Sequence, residues 1–240
     1  DETNVALLRT NAVYNTITKS KDEKQTYTIN QIVRDFENFA EPVKAYRNNI
    51  PKITITSISY SKDGNSVVFS AKDEKASSKK STKNNEKIYI ADNLGGNFLN
   101  AKLVSFNEEA YSFKNPSFND DGTTIYFSSN RTGGFGGFDI WKSTLDKGKW
   151  STPINLGKLV NTKSDEINPF LVQDGNENTL FFSSDRDGGF GGFDIYTVKK
   201  SSNIWQDAQM QPAPINSAGD DISIVYDNEV KTGYFSSNRL

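Results

Sequence analysis

The chain holds 240 residues, 35% hydrophobic and 12% aromatic, with Phe and Tyr dominating the aromatics. That mix suits pleated, half-buried strands, and the length fits one large β domain. A formal charge of −2 gives no electrostatic case for nucleic acid or an anionic membrane. No apolar run approaches the roughly 18 residues that a membrane-spanning helix needs. With neither Cys nor His present, disulfides, thiolate or imidazole metal sites and His-dependent triads are excluded within these residues. The start at Asp1 rather than Met suggests a processed or trimmed N-terminus.

Residues 1–50 are the least regular. NVALLR (4–9) and KQTYTINQI (24–32) read as short strands, and VRDFENFAEPVKAY reads as an extended connection because Pro42 disfavours a helix. ITITSISY and SVVFSA then flank Asp63-Gly64, a strong hairpin signal because both residues tolerate positive φ. The same punctuation returns at Asp121-Gly122, Asp174-Gly175 and, weakened, Asp227-Asn228. After each turn comes a strand with an aromatic followed by Ser: Phe69-Ser70, Phe127-Ser128, Phe182-Ser183 and Phe235-Ser236. A third strand centres on Ile88-Tyr89, Ile140-Trp141 or Ile195-Tyr196. A fourth landmark pairs an aromatic with Pro or Ala three residues on, at Phe39/Pro42, Phe98/Ala101, Trp150/Pro153 and Trp205/Ala208. Residues 72–87, KDEKASSKKSTKNNEK, form a Lys-rich insertion that reads as a solvated loop.

The strongest signal is an echo. YFSSNRTGGFGGFDIW (126–141) and FFSSDRDGGFGGFDIY (181–196) agree at 12 of 16 positions with a constant offset of 55. A fixed period near this length marks an array or propeller. Each period holds four short antiparallel strands, the content of a propeller blade. A lone four-stranded sheet leaves apolar faces uncovered, so such sheets stack around an axis. The expected fold is therefore an all-β propeller of four-stranded antiparallel blades, one domain over 1–240. Its blades are placed at about 57–106, 115–161 and 168–216, with a partial blade at 222–240. Either the chain is an incomplete segment of a larger ring, the preferred account, or residues 1–50 supply ring-closing strands and give about four blades.

The segments NPSFNDDGTTIYFSSNRTGGFGGFDIW and NPFLVQDGNENTLFFSSDRDGGFGGFDIY resemble the WD40-like repeats of TolB-type β-propellers. The Gly-Gly-Phe-Gly-Gly-Phe-Asp-Ile version is similar to propellers in OmpA-family periplasmic proteins of the Bacteroidota, some tied to type IX secretion and gliding. The resemblance is strong over 115–200, fair over 53–106 and 201–239, and weak over 1–50. It implies a protein-interaction platform in the periplasm or at the cell surface, associated with the outer membrane. In that family a peptidoglycan-binding OmpA-like domain stands beside the propeller, and none is visible in this sequence.

Four glycines around Phe135 and around Phe190 permit backbone angles that side chains forbid. The preferred reading folds these loops back so that each Phe plugs the seam between blades; the other leaves an exposed aromatic for a partner or a sugar. Asp139 and Asp194 read as acceptors for loop N–H groups. Arg131 and Arg186 read as pairing with the neighbouring blade's acid, or as presenting a fork to a partner carboxylate. Asp185-Arg-Asp187-Gly partly resembles a calcium loop, but the first copy has Asn130 and Thr132, so no metal is expected. Trp141, Tyr196, Trp150 and Trp205 read as blade-seam packing.

The partner-binding candidates on the loop face are thus Arg131, Phe135, Asp185, Arg186, Asp187 and Phe190. Asp165/Glu166 and Asp220/Asp221 recur in phase, as structural acids do. With no singular reactive constellation, the chain is expected not to be an enzyme and to need no cofactor. The leading function is a scaffold that binds other envelope proteins. The alternatives are a glycan- or peptidoglycan-binding propeller and, behind it, a carboxylate-dependent glycosidase.

Overall fold

The computed structural model describes residues 53–73, 85–94, 96–175, 177–202, 204–227 and 231–239, together with the backbone of six strands within 2–48. Among these residues there is no helix. The first sheet joins β1 (Glu2–Leu8), β2 (Asn11–Lys19) and β3 (Gln25–Asp35), with the short β4 (Asn38–Phe39) and β5 (Val43–Lys44) both on β3. The second comprises β6 (Arg47–Asn48), β7 (Ile53–Tyr60), β8 (Ser66–Asp73), β9 (Lys87–Leu94) and β10 (Asn97–Leu103) in the order β6-β10-β9-β8-β7.

The third and fourth sheets share one plan. In the third, β11 (Phe113–Phe118), β12 (Thr124–Ser129) and β13 (Asp139–Asp146) are antiparallel neighbours, and β14 (Lys149–Trp150) and β15 (Ile154–Asn155) pair with the two ends of β13. In the fourth, β16 (Glu166–Asp174), β17 (Glu177–Ser184) and β18 (Asp194–Ser201) repeat this, with β19 (Ile204–Trp205) and β20 (Gln209–Met210) on β18. The fifth sheet is β21 (Asp221–Asp227) and β22 (Thr232–Ser237).

The first strands make a circuit. β1 lies beside β7, β7 beside β11, β11 beside β16, β16 beside β21, and β21 beside β1. The chain is therefore an all-β propeller with five sheets around one axis, the fifth of them incomplete among the described residues. In the sheet over 2–44 the two segments read as strands, 4–9 and 24–32, fall on β1 and β3, whereas β2 between them went unread because no Asp-Gly turn joins it to β1. Pro42 and most of the Lys-rich insertion, 74–84, lie outside the described residues.

Stacking explains the burial. β12 is buried at five consecutive positions, Ile125 to Ser129, because both faces of its sheet are covered. One seam holds Val68 and Ile88 against Val104, Phe106, Phe113, Phe127 and Trp141, with Trp150 half-buried at its margin. The next packs Tyr126 and Ile140 against Leu171, Leu180, Phe182 and Tyr196, with Trp205 at the margin. The same rings meet within a sheet, since Phe127 pairs with Trp141 and Phe182 with Tyr196 across adjacent strands.

The first strands also share a bulge. It falls after Lys114, Ile167 and Ile222, where Asn115, Asn168 and Ser223 have φ of 51°, 53° and 55°. A short polar side chain tolerates that left-handed conformation, and the bulge turns the strand as it enters the ring.

Candidate functional site

Because the strands alternate in direction, the second-to-third-strand loops and the connectors between sheets share one face of the ring. The Gly-rich loops, 130–138 and 185–193, are pinned there by a repeated polar frame. Asp139 is buried and accepts hydrogen bonds from Phe135 N (2.6 Å), Gly136 N (3.1 Å) and Asn155 Nδ2 (2.8 Å). Asp194 accepts Phe190 N at 2.8 Å and Gly191 N at 3.2 Å. From the following connector, Asp165 Oδ1 accepts Phe138 N at 2.7 Å, and Asp220 Oδ1 accepts Phe193 N at 2.9 Å.

Side-chain amides complete the frame. Asn161 Oδ1 accepts Ile140 N (2.8 Å) while its Nδ2 donates to Ile140 O (3.0 Å). Asn216 does the same to Ile195 at 2.8 and 2.9 Å, and Asn107 to Ile88 at 2.9 and 2.9 Å. The glycines are required by this closeness. A Cβ on Gly136 would lie 2.5 Å from Thr162 O and closer still to Ser164 O, and one on Gly191 would run into Gly219 O.

The arginines are held within the fold, but not as the sequence suggested. Arg186 pairs with Glu166 of its own sheet (3.2 Å) and donates to Val160 O (2.7 Å), its guanidinium lying over Tyr196 at 4.6 Å. Arg131 pairs with Glu108 on the connector before its own sheet (2.7 Å) and lies over Trp141 at 4.8 Å. The expected neighbouring-blade acid is corrected: the acid stands on the same sheet or on the segment leading into it, within reach of a short fork. Asp221 and Arg239 repeat the pair in the fifth sheet. In the third sheet Phe113 stands where the fourth has Glu166, which is why Arg131 turns to Glu108.

The equivalent acids titrate in opposite directions. Burial pushes the Glu166 carboxyl up, and hydrogen bonds from Thr162 and Ser184 with the Arg186 charge offset this only in part. Burial also pushes Asp221 up, but hydrogen bonds from Ser237, Arg239 and Ser217 together outweigh it and hold that carboxyl below the ordinary value.

Phe135 and Phe190 do not plug the seams. Each is 53% exposed, because the loop amides on either side are tied down to Asp139 and Asp194, which leaves the ring at the tip pointing away from the core. This overturns the seam-plug expectation. Asp185 Oδ1 accepts Asp165 N at 2.8 Å, while the exposed Asp187 pairs with Lys163 at 3.0 Å.

The same face carries a group the sequence reading missed. Lys114 Nζ sits 3.6 Å from the centroid of the Phe138 ring. Burial pushes its ammonium pKa down, with Glu86 and Asp165 pushing back. Glu86 in turn accepts Thr56 Oγ1 at 2.6 Å and pairs with Lys72 at 3.6 Å. The signal was available: Lys114 occupies the position that holds Ile167 and Ile222 in the next two sheets. On the opposite face, a groove of about 820 Å³ runs between the Ser61–Ser66 and Asp120–Gly122 turns, with Ile90, Leu103 and Trp150 in its walls.

No protein-family model matches the chain, and no curated protein matches it. Solved structures do. A TolB from Acinetobacter baumannii superposes with a TM-score of 0.50 at 15% identity, over 91% of this chain and 45% of its own. The chain thus spans less than half the length of that structure. An α-L-arabinofuranosidase from Lactobacillus brevis gives 0.61 at 9% identity, over 97% of this chain and 81% of its own. A thermostable family-43 glycoside hydrolase gives 0.59 at 11% identity, covering 98% and 83%.

At these identities the likeness shows a shared propeller fold. It also corrects the expectation that the chain is not an enzyme. That expectation rested on repeated acids and missing histidine, yet glycoside hydrolases share this architecture, and glycoside hydrolysis runs on carboxylates without histidine.

Proposed function

We propose that the chain is a binding propeller of the bacterial cell envelope, engaging another envelope protein through the face that carries the Gly-rich loops. The observation that supports this reading most is the pair of exposed rings, Phe135 and Phe190, each on a loop fixed by a buried carboxylate. A large aromatic held out on a pinned loop has little entropy left to lose on docking, the usual character of an interface anchor. Arg131, Asp185, Arg186 and Asp187 belong to the same two loops as these tips, and the exposed Lys163–Asp187 pair adds a polar rim.

The location in the periplasm or at the cell surface, in outer-membrane association, rests on the repeat motifs that resemble TolB-type and Bacteroidota OmpA-family propellers. A role beside type IX secretion or gliding rests on the same ground. The test is affinity capture from a Bacteroidota envelope extract with the native chain and with Phe135→Ala/Phe190→Ala. A protein recovered by the native chain and lost with the double variant, at unchanged melting temperature, is expected. Capture of nothing, or equal capture by both, overturns the proposal.

A second reading, glycan or peptidoglycan binding, draws on Trp150 in the groove of the opposite face. A glycan panel with Trp150→Ala as the comparison decides it, and the same panel assayed for released sugar tests hydrolysis directly.

A further inference from the structure

We propose that the two aromatic tips differ in kind: Phe135 is a locked anchor, whereas the Phe190 loop is a latch that opens and closes, with residue 210 setting the difference. The loops themselves cannot supply it, because residues 133–140 and 188–195 share the sequence GGFGGFDI. Nor do the tip rings, each 53% exposed. What differs is the support behind the two capping carboxylates.

In the third sheet both oxygens of Asp139 are used. Its Oδ2 accepts Phe135 N at 2.6 Å and Asn155 Nδ2 at 2.8 Å, and its Oδ1 accepts Gly136 N at 3.1 Å. Asn155 is itself held, its Oδ1 accepting Gly157 N at 2.8 Å and Asn161 Nδ2 at 2.9 Å. Loop, β15 and connector are thereby tied into one run of hydrogen bonds. In the fourth sheet Met210 takes the position of Asn155, facing Tyr196 as Asn155 faces Trp141. A thioether has no proton to donate. Phe190 N and Gly191 N both fall on Asp194 Oδ2, at 2.8 and 3.2 Å, and the buried Oδ1 has no hydrogen-bond partner among the described residues. Asn216, the counterpart of Asn161, donates to Gln211 O at 2.8 Å instead, so the run stops short of the carboxylate.

A carboxylate oxygen buried without a donor is costly, and it gains hydrogen bonds from water once the loop lifts. The closed form is therefore favoured less over the open form in the fourth sheet than in the third. Opening releases Phe190 N and Gly191 N together, since one oxygen holds both. Phe135 then docks as it stands, while Phe190 adjusts to the surface it meets. That use of the tips rests on the reading of this face as a partner surface; the latch itself does not.

Amide hydrogen exchange of the intact chain, read residue by residue by NMR, tests the latch. Identical neighbours give the paired amides the same chemical exchange rate, so the comparison between loops isolates the fold. Phe190 and Gly191 are expected to exchange about tenfold faster than Phe135 and Gly136, or more. Met210→Asn, which restores the missing amide, is expected to slow Phe190 and Gly191 by about tenfold, and Asn155→Met to speed Phe135 and Gly136 by about as much. Met210→Leu, which adds no donor, should leave all four unchanged. Equal exchange at the two tips of the native chain, or an unaltered Phe190 in Met210→Asn, overturns the proposal. Met210 packs against the seam; should Met210→Asn fail to fold, Asn155→Met carries the test, and unaltered Phe135 and Gly136 there are equally adverse. The exchange needs no partner, so a failed envelope capture leaves the latch standing, and equal exchange leaves the anchors standing.

Discussion

Changing Gly136 to Ala tests whether the Gly-rich loops are packed against the connectors or merely flexible. Gly136 does not sit at positive φ, so the substitution probes space rather than backbone strain. Its Cβ would lie 2.5 Å from Thr162 O and nearer to Ser164 O, both backbone atoms, where an ordinary contact needs about 3.5 Å. The loop cannot retreat freely, because Glu166 N donates to Phe138 O at 2.6 Å and Phe138 N to Asp165 at 2.7 Å on the same side. Overpacking of this kind costs about 1–3 kcal/mol, and loosening one of the two hydrogen bonds adds about 1 kcal/mol.

We therefore expect a loss of about 2–4 kcal/mol in urea unfolding, and a melting temperature lower by roughly 4–16 °C for a chain of this size. Gly148→Ala is the comparison: no atom lies within 4 Å of its Cβ, and its φ of 77° leaves only the conformational penalty, about 1–2 kcal/mol. Gly136→Ala with the stability of the native chain, or less disturbed than Gly148→Ala, would refute the packed-loop argument.

Phe182→Ala, which empties a fully buried site in the seam, is expected to cost about 3–5 kcal/mol, while Phe190→Ala is expected within about 0.5 kcal/mol of the native chain; chemical denaturation distinguishes them. Stability against pH should show two opposite contributions. The Glu166 carboxyl is raised from 4.5, so its contribution is complete below that value and is lost as pH rises through its folded pKa. Asp221 is lowered from 3.8, so its contribution is present above that value and is lost as pH falls through its folded pKa. Urea midpoints from pH 3 to 7 for Glu166→Gln and Asp221→Asn should each flatten one limb; the two variants altering the same limb would contradict the assignment.

Much of the architecture was legible because it repeats. Asp-Gly turns and the aromatic-Ser strand ends recur at a near-constant interval, and a periodic seam demands periodic rings, so Phe127, Phe182, Trp141 and Tyr196 announce their own surroundings. The first sheet offers no Asp-Gly turn, so NVALLR and KQTYTINQI could be read as strands while β2 between them became visible only in space. The loop tips misled for a different reason. Glycines state that backbone comes close to something, not on which side the intervening Phe leaves the chain; that is decided by Asp139 and Asp194 drawing the amides inward. The arginine partners were misplaced because Glu166 is close to Arg186 across a strand pair, while the sequence shows them 20 residues apart. Lys114 was hidden by the repeat itself, since attention to what recurs passes over a copy in which Ile is replaced.

The side-chain amides of Asn107, Asn161 and Asn216 fasten each sheet to the connector that leaves it. Each accepts the N–H of one third-strand isoleucine and donates to its carbonyl, which also receives a connector amide: Val104 N to Ile88 O, Leu156 N to Ile140 O and Gln211 N to Ile195 O. Asn161 and Asn216 are buried, so trading either for Leu would strand an interior N–H with no acceptor and loosen the step from one sheet to the next.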